Sequence, residues 1–218
     1  MKKVFLAAVL CLSAAMVGNA QNSIKETFDS NSLGWTESNY EDNSGTAVID
    51  KGVLTITSKG ENKAMGALLS AVAGAAVQVG SNTYFETHCY APLDVRKPFT
   101  IRTKVNIQKL GSERLVGLII NYKDDGNFYV FVFNDDQVRF MRYVDNCLVG
   151  SINQGVKWDK KKKLDQEWVL DYDGDALRFS VDGMEILYVR YMEMTYAGTG
   201  FYTYGKQTLV VDEIEFVQ

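Results

Sequence analysis

The chain has 218 residues, of which 23 are Lys or Arg and 27 are Asp or Glu, and its formal net charge is −4. A mildly acidic chain lacks the basic surface that nucleic acids bind, so a nucleic-acid partner is not expected. Twelve Tyr and eleven Phe, with only two Pro, form the composition of a packed globular protein and not of a disordered one.

The first 20 residues have the pattern of an export signal. Two lysines precede an apolar run, Val4–Val17, which is too short to span a bilayer, and Gly18-Asn19-Ala20 supplies the small residues that a signal peptidase reads. We therefore predict that residues 1–20 are removed and that residues 21–218 form a single domain. The protein is expected to be exported to the periplasm, the cell surface or the outside of the cell.

An uncharged stretch, Ala64–Gly80 (AMGALLSAVAGAAVQVG), lies within a predicted insertion at about 62–81. A membrane-spanning helix needs about 20 predominantly apolar residues, and this stretch is shorter and contains glycines. We predict a short Ala-rich helix or a loop that covers part of the fold, and no transmembrane segment after signal removal. The alternative is a contact surface for a partner or a lipid.

From Phe99 onward, short apolar runs with alternating side chains are separated by turns. The main runs are FTIRTKVNI, RLVGLIINY, NFYVFVFN, QVRFMRYV, EWVLDYD, LRFSVDG, TGFYTYG and LVVDEIEFV. Asp-Gly turns such as KDDGN and DGD join several of them, as in β-hairpins. This pattern predicts an all-β sandwich or barrel.

Four segments resemble the concanavalin A-like (laminin-G-like) jelly-roll domains of exported bacterial proteins. ETFDSNSLGW is similar to their opening, and GLIINYKDDGNFYVFVFN to their paired central strands. DYDGDALRFSVDG and GTGFYTYGKQTLVVDEIEF are similar to a later hairpin and to their closing strands. The resemblance implies a two-sheet antiparallel jelly-roll sandwich. Because similar domains occur in gut Bacteroidetes beside glycan-degrading enzymes, it also implies a polysaccharide or cell-surface glycan as partner.

No catalytic motif is found. Glycosidases of related jelly rolls place carboxylates in a Glu-x-Asp-x-Glu pattern on one strand, and no Glu of this chain is followed two residues later by Asp. Glu213 and Glu215 are expected to be the solvent-facing alternates of a terminal strand. The one histidine, His88, has no adjacent nucleophile pattern and is interpreted as structural. We therefore favour a non-catalytic carbohydrate-binding protein over a glycoside hydrolase or polysaccharide lyase with a non-standard site.

Strand alternation divides the central side chains between two faces. Tyr129, Phe131 and Phe133 are the larger set and are predicted to face the core, which leaves Phe128, Val130 and Val132 on the opposite face. On the preceding strand, Asn121 is placed with that opposite face and Tyr122 with the core. Sugars stack on aromatic rings and bind polar side chains, so a sheet face of mixed character can form a glycan site.

The predicted ligand-binding residues are Asn121, Arg139 and Tyr143, with Trp158 at the rim. The neighbouring residues of that face are unusually apolar for a sugar platform. The alternative is that residues 64–80 cover the face, and in that case the protein is a structural or protein-interaction module.

Two further side-chain pairs concern metals and disulfides. Asp29 and Asp212 lie near the chain ends, which come together in such sandwiches, so they are candidates for sharing a structural Ca²⁺ with backbone carbonyls. Cys89 and Cys147 remain in the mature chain, and the exported compartment permits a disulfide between them. Both lie in apolar strand-like sequence, so two buried thiols are favoured over a bridge.

Overall fold

The computed structural model describes residues 22–38, 45–59, 84–112, 114–157 and 164–218. Within these ranges the chain forms fourteen β-strands and no helix. No helix that could cross a membrane is therefore present in the described ranges. The predicted signal peptide, the insertion at 62–81 and Trp158 lie outside them.

The strands are β1 (Ser23–Glu26), β2 (Gly45–Asp50), β3 (Val53–Lys59), β4 (Tyr84–Tyr90), β5 (Phe99–Ile107), β6 (Leu115–Asp124), β7 (Asn127–Phe133), β8 (Gln137–Val144), β9 (Cys147–Gly155), β10 (Leu164–Tyr172), β11 (Leu177–Val181), β12 (Met184–Val189), β13 (Gly198–Tyr204) and β14 (Lys206–Val217). They form two antiparallel sheets. The eight-stranded sheet has the order β12-β11-β10-β5-β14-β3-β2, with β1 beside β14. The six-stranded sheet has the order β4-β13-β6-β7-β8-β9.

One hydrophobic core lies between the two sheets, and both sheets contribute aromatic rings to it. Phe131 of the six-stranded sheet stacks on Phe179 of the other sheet, with ring centroids 5.0 Å apart. Phe133 packs edge-on against Trp168 at 4.9 Å. None of these four side chains has measurable exposure to solvent. The predicted all-β sandwich is therefore confirmed. Phe131 and Phe133, which the alternation of their strand assigned to the core, lie in it.

The solvent side of the eight-stranded sheet carries an ion-pair ladder around the terminal strand. Glu213 contacts Lys25 at 2.5 Å and Lys104 at 2.9 Å, which joins β14 to the strands on both sides. Glu215 lies 3.6 Å from Arg102. The two glutamates are thus the solvent-facing alternates that the sequence predicts. The pairing of β1 with β14 also places the first and last strands of the described ranges side by side.

Cys89 and Cys147, the two cysteines of the described ranges, are free thiols, but they differ in exposure. Cys89 is buried in the core, as expected, and burial raises the pKa of its thiol. Cys147 is exposed, so the expectation that it is buried is wrong. The reason is its position at the start of β9, an edge strand whose residues are all exposed.

Candidate functional site

A second hydrophobic cluster lies on the face of the six-stranded sheet that points away from the core, here called the outer face. Its buried members are Ile119, Tyr122, Phe128, Val130 and Val132, and Leu115, Met141, Tyr143 and Tyr202 pack against them. The alternation of β7 agrees with the predicted division into a core set and an outer set.

Tyr122 departs from the predicted division, because β6 contains a bulge. The sequence pattern places Tyr122 with the core, yet it belongs to the outer-face cluster. The pairing of β6 with β7 shifts register between Ile120 and Asp124, and Asn121 in this interval has a φ of 51°. A bulge adds one residue to a strand and re-aims the side chains that follow it. Asn tolerates this left-handed conformation better than most residues.

Asn121, a predicted ligand-binding residue, is hydrogen-bonded to the protein itself. Its side-chain oxygen accepts hydrogen bonds from the backbone amides of Thr195, at 2.7 Å, and Tyr196, at 2.8 Å. The residue is buried, and it holds the segment before β13 against the end of β6. That Asn121 binds a sugar stays a prediction. Its side-chain oxygen already accepts the two backbone hydrogen bonds.

The other two described ligand-binding candidates lie on the outer face of β8, as the alternation predicts. Arg139 donates two hydrogen bonds to Gln137, at 3.0 and 2.7 Å. Tyr143 stacks on Phe128 with ring centroids 4.9 Å apart. Both side chains are half-buried, so part of each faces solvent.

A more polar group of side chains lies at the opposite edge of the outer face, on β4. Thr87 and Cys89 of this strand are buried toward the core, so Glu86, His88 and Tyr90 point to the outer face. Tyr90 is 65 % exposed, while Glu86 and His88 are half-buried. Together with Tyr122 and Asp125, these residues are called the His88 site below.

The ring of His88 stacks on Tyr122 although β13 lies between their strands. The two ring centroids are 4.1 Å apart and the planes are inclined by 27°. In the sheet register, Gly200 lies between His88 and β6, and Gly198 lies opposite Tyr122. A Cβ at Gly200 would lie 2.3 Å from a backbone oxygen, so only glycine fits there. These two glycines leave the space in which the rings meet.

Asp125 completes the site from the turn between β6 and β7. The Tyr122 hydroxyl donates a hydrogen bond to Asp125 Oδ1 at 2.6 Å. Burial raises the pKa of Tyr122, and the bond to Asp125 raises it further. Asp125 is exposed. The hydrogen bond from Tyr122 therefore orients a carboxylate that a ligand can reach from solvent.

Glu86 is the half-buried acid of the site. Burial, and after it the negative charge of Asp125, raises the pKa of Glu86 from 4.5 to about 7. Its Oε2 atom is buried and has no hydrogen-bond partner among the described residues. Near neutral pH a large share of Glu86 is therefore protonated, and it can donate a hydrogen bond.

His88 is neutral near pH 7. Burial lowers its pKa, and the charge of Asp125 offsets this only in part. Its Nε2 atom lies 3.3 Å from the Thr36 hydroxyl. The site thus combines a neutral imidazole, a protonated acid, an oriented carboxylate and an exposed aromatic ring. It can hydrogen-bond a polar ligand through donors and acceptors beside a stacking surface.

The two aspartates of the predicted calcium pair, Asp29 and Asp212, are both exposed. Asp29 accepts a hydrogen bond from the Thr27 hydroxyl at 2.9 Å. Asp212 is exposed on β14, at the register shift where this strand pairs with β5. In the described ranges, no group of three or more His, Cys, Asp or Glu side chains could hold a metal. The shared Ca²⁺ stays a prediction.

The fold is shared with solved structures of low sequence identity. A structure described as endo-acting O-glycanases of the human gut microbiota that initiate mucin breakdown is 11% identical, with a TM-score of 0.58 over 89% of this chain and 98% of that one. A Bacillus licheniformis beta-glucanase is 9% identical, with a TM-score of 0.56 over 89% and 97%. The chain has the concanavalin A-like jelly-roll fold.

A third similar jelly-roll structure is a binding domain. The carbohydrate recognition domain of Emp47p is 11% identical, with a TM-score of 0.56, over 89% of this chain and 93% of that domain. No protein-family model matches this jelly-roll chain, and no curated protein sequence matches it. At these identities the likeness shows the fold, which hosts both enzymes and binding proteins.

Four residues of the His88 site were not predicted as ligand-binding, and His88 was interpreted as structural. The available signal is the strand YFETHCY, in which Glu86, His88 and Tyr90 alternate on one face. Tyr122 and Asp125 carry no such signal, because the bulge at Asn121 and the pairing of distant strands bring them to the site.

Proposed function

We propose that this jelly-roll protein is exported and binds carbohydrate without cleaving it, and that the sugar is bound at the His88 site. The observation that carries the proposal is the exposed Tyr90 ring beside the ordered donors and acceptors of His88 and Asp125. Sugar rings present apolar faces that stack on aromatic rings, and their hydroxyls need both donors and acceptors. Similar folds described as a glucanase and as a carbohydrate recognition domain support this proposal.

The arrangement suits a neutral sugar for a physical reason. The neutral imidazole of His88 has one donor and one acceptor nitrogen, and because Nε2 is engaged with the Thr36 hydroxyl, Nδ1 is left for a ligand. The Asp125 carboxylate has a second oxygen beyond the one bound to Tyr122, and it can accept from a sugar hydroxyl. Arg139 and Tyr143 lie on the same outer face, but the buried outer-face cluster on β6 and β7 separates them from the His88 site.

Binding is tested by calorimetry of the protein with a panel of polysaccharides, with and without EDTA. We expect Tyr90→Ala and Asp125→Asn each to weaken binding at least tenfold, because each removes one ligand contact of about 1.4 kcal/mol or more. Tyr191→Ala is the matched control, since Tyr191 is 83 % exposed and lies outside the site. Binding that survives both site variants would place the sugar elsewhere on the protein.

A second candidate function is glycoside hydrolysis, and it is favoured by Glu86. An acid whose pKa is raised to about 7, near an ionised Asp125, has the protonation state of a general acid. The same samples are therefore assayed for new reducing ends. Release that is lost in Glu86→Gln would replace the non-catalytic proposal with a hydrolase, whereas binding without release supports the proposal as stated.

A further inference from the structure

Glu86 has one carboxyl oxygen that is buried without a partner. Its Oε2 atom forms no hydrogen bond with any described residue. An unpaired buried oxygen is more unfavourable when it carries negative charge than when it belongs to a neutral carboxylic acid. The nearby charge of Asp125 adds to this penalty. The neutral acid is therefore the form that this place in the fold favours.

The titratable side chains that face Glu86 on the outer face come from its own strand, from β13 and from β6 with its turn. They are His88, Tyr90, Tyr122, Tyr202, Tyr204 and Asp125. Tyrosines, and a histidine with a lowered pKa, are uncharged near pH 7, whereas Asp125 is negative. Burial and Asp125 cause the shift of the Glu86 pKa, so no Lys or Arg of the described ranges offsets them.

The remaining neighbours of β4 lie at its free edge and on its core side. Thr36 pairs with the backbone of His88 at the free edge. The next residue, Glu37, accepts a hydrogen bond from the Ile49 amide at 3.1 Å. β2 and β3 approach β4 through the core, to which Cys89 also belongs. These elements therefore place no compensating charge beside the Glu86 carboxyl.

An oligosaccharide lying along β4 would cover the part of Glu86 that is still exposed. Outer-face residues of one strand follow each other at about 6.6 Å, twice the rise per residue. A sugar chain that stacks on Tyr90 therefore lies over His88 and Glu86 in turn. It displaces water from the Glu86 carboxyl, and an uncharged sugar brings no positive charge in exchange. The bound state thus favours neutral Glu86 more strongly than the free state does.

We propose that the protein takes up a proton at Glu86 when it binds an uncharged glycan at the His88 site. This inference rests on the proposed function and adds its regulation, because the glycan is held below neutral pH and released as Glu86 ionises. The protonated acid also supplies a donor for a sugar oxygen. Once ionised, Glu86 and Asp125 are both acceptors only.

Calorimetry at two pH values tests this linkage, with lichenan, xyloglucan and galactan as uncharged probes. If only protonated Glu86 is competent to bind, the apparent affinity scales with its protonated fraction. For a pKa of about 7, this fraction falls from about nine-tenths at about pH 6 to about one-tenth at about pH 8. We therefore expect the wild-type affinity to fall about tenfold between these pH values.

The same titrations in phosphate and in Tris measure the proton itself, because the two buffers differ in ionisation enthalpy. At about pH 8 we expect the wild-type protein to take up close to one proton for each bound site. This measurement needs no variant. Binding without proton uptake at this pH would overturn the inference.

Glu86→Gln keeps the shape of the neutral acid and cannot ionise. We expect its affinity to be equal at about pH 6 and about pH 8, with no proton uptake. Glu185→Gln is the matched control, since Glu185 is exposed on the edge strand of the other sheet, and it should keep the wild-type decrease.

The outcomes separate this inference from the proposed function. A wild-type affinity that does not fall between the two pH values, or an equal fall in Glu86→Gln, would overturn the inference and leave carbohydrate binding in place. Failure of every probe to bind at either pH would overturn both.

Discussion

Glu86 holds its proton to a higher pH in the folded protein than in the unfolded chain, because burial and the charge of Asp125 raise its pKa from 4.5 to about 7. Between these pH values the folded state binds more protons than the unfolded state, so the free energy of unfolding falls as the pH rises. Glu86→Gln has no proton to lose. We therefore expect the stability of the variant relative to wild type to increase between about pH 4 and about pH 8, measured by denaturant unfolding.

Glu213 provides a control, because its pKa is shifted in the direction opposite to that of Glu86. Its hydrogen bond to Lys25, followed by that to Lys104, lowers its pKa despite partial burial. Its contribution to stability is therefore present above the unfolded pKa and is lost as the pH falls through the folded pKa. Glu213→Gln should lose stability mainly near neutral pH. If Glu86→Gln changes the free energy of unfolding by the same amount at about pH 4 and at about pH 8, the Glu86 carboxyl is not the titrating group.

At the scale of the element, the bulge of β6 decides how the site is assembled, and Asn121 holds it. Asn121→Ala would leave the amides of Thr195 and Tyr196 without their acceptor and would place alanine at a φ of 51°. We expect a loss of about 2–4 kcal/mol in the free energy of unfolding, from unpaired buried amides and backbone strain. Asn121→Asp keeps an acceptor oxygen and a residue that tolerates this backbone, so it should lose less.

A second measurement separates the structural role of Asn121 from a role in binding. The bulge points Tyr122 toward His88, so a weakened bulge should also disturb the ring stack and reduce carbohydrate affinity. If Asn121→Ala unfolds at wild-type denaturant concentrations, the two hydrogen bonds do not stabilise the bulge. If Asn121→Asp retains stability but loses binding, Asn121 contacts the ligand directly.

At the scale of the whole molecule, alternation along single strands was sufficient to predict the sandwich and its core. β7 is regular, so Phe131 and Phe133 could be assigned to the core from local pattern alone. The His88 site could not be predicted in this way. It depends on which strands become neighbours and on the extra residue of a bulge, and both are set by contacts between distant parts of the chain.

The fold also predicts how the protein unfolds, because one core joins both sheets. Phe179 packs against Phe131 at 5.0 Å and against Trp168 at 6.1 Å, so its ring contacts aromatic side chains of both sheets. Phe179→Ala should lower the free energy of unfolding by about 3–5 kcal/mol, through lost burial and the cavity left behind. Tyr191→Ala, at an exposed position, should change it by less than about 0.5 kcal/mol.

Because the sheets share this core, we expect them to unfold together in both the wild type and Phe179→Ala. Tryptophan fluorescence reports on Trp35 and Trp168 in the core and on Trp158, and far-ultraviolet circular dichroism reports on both sheets. The two signals should give coincident transitions. In Phe179→Ala, the fluorescence transition could instead precede the loss of the circular dichroism signal. That result would show that the six-stranded sheet, which also contains the outer-face cluster, remains folded after the shared core has opened. That result would make the outer face, and not the core alone, a source of independent stability for the sheet that carries the His88 site.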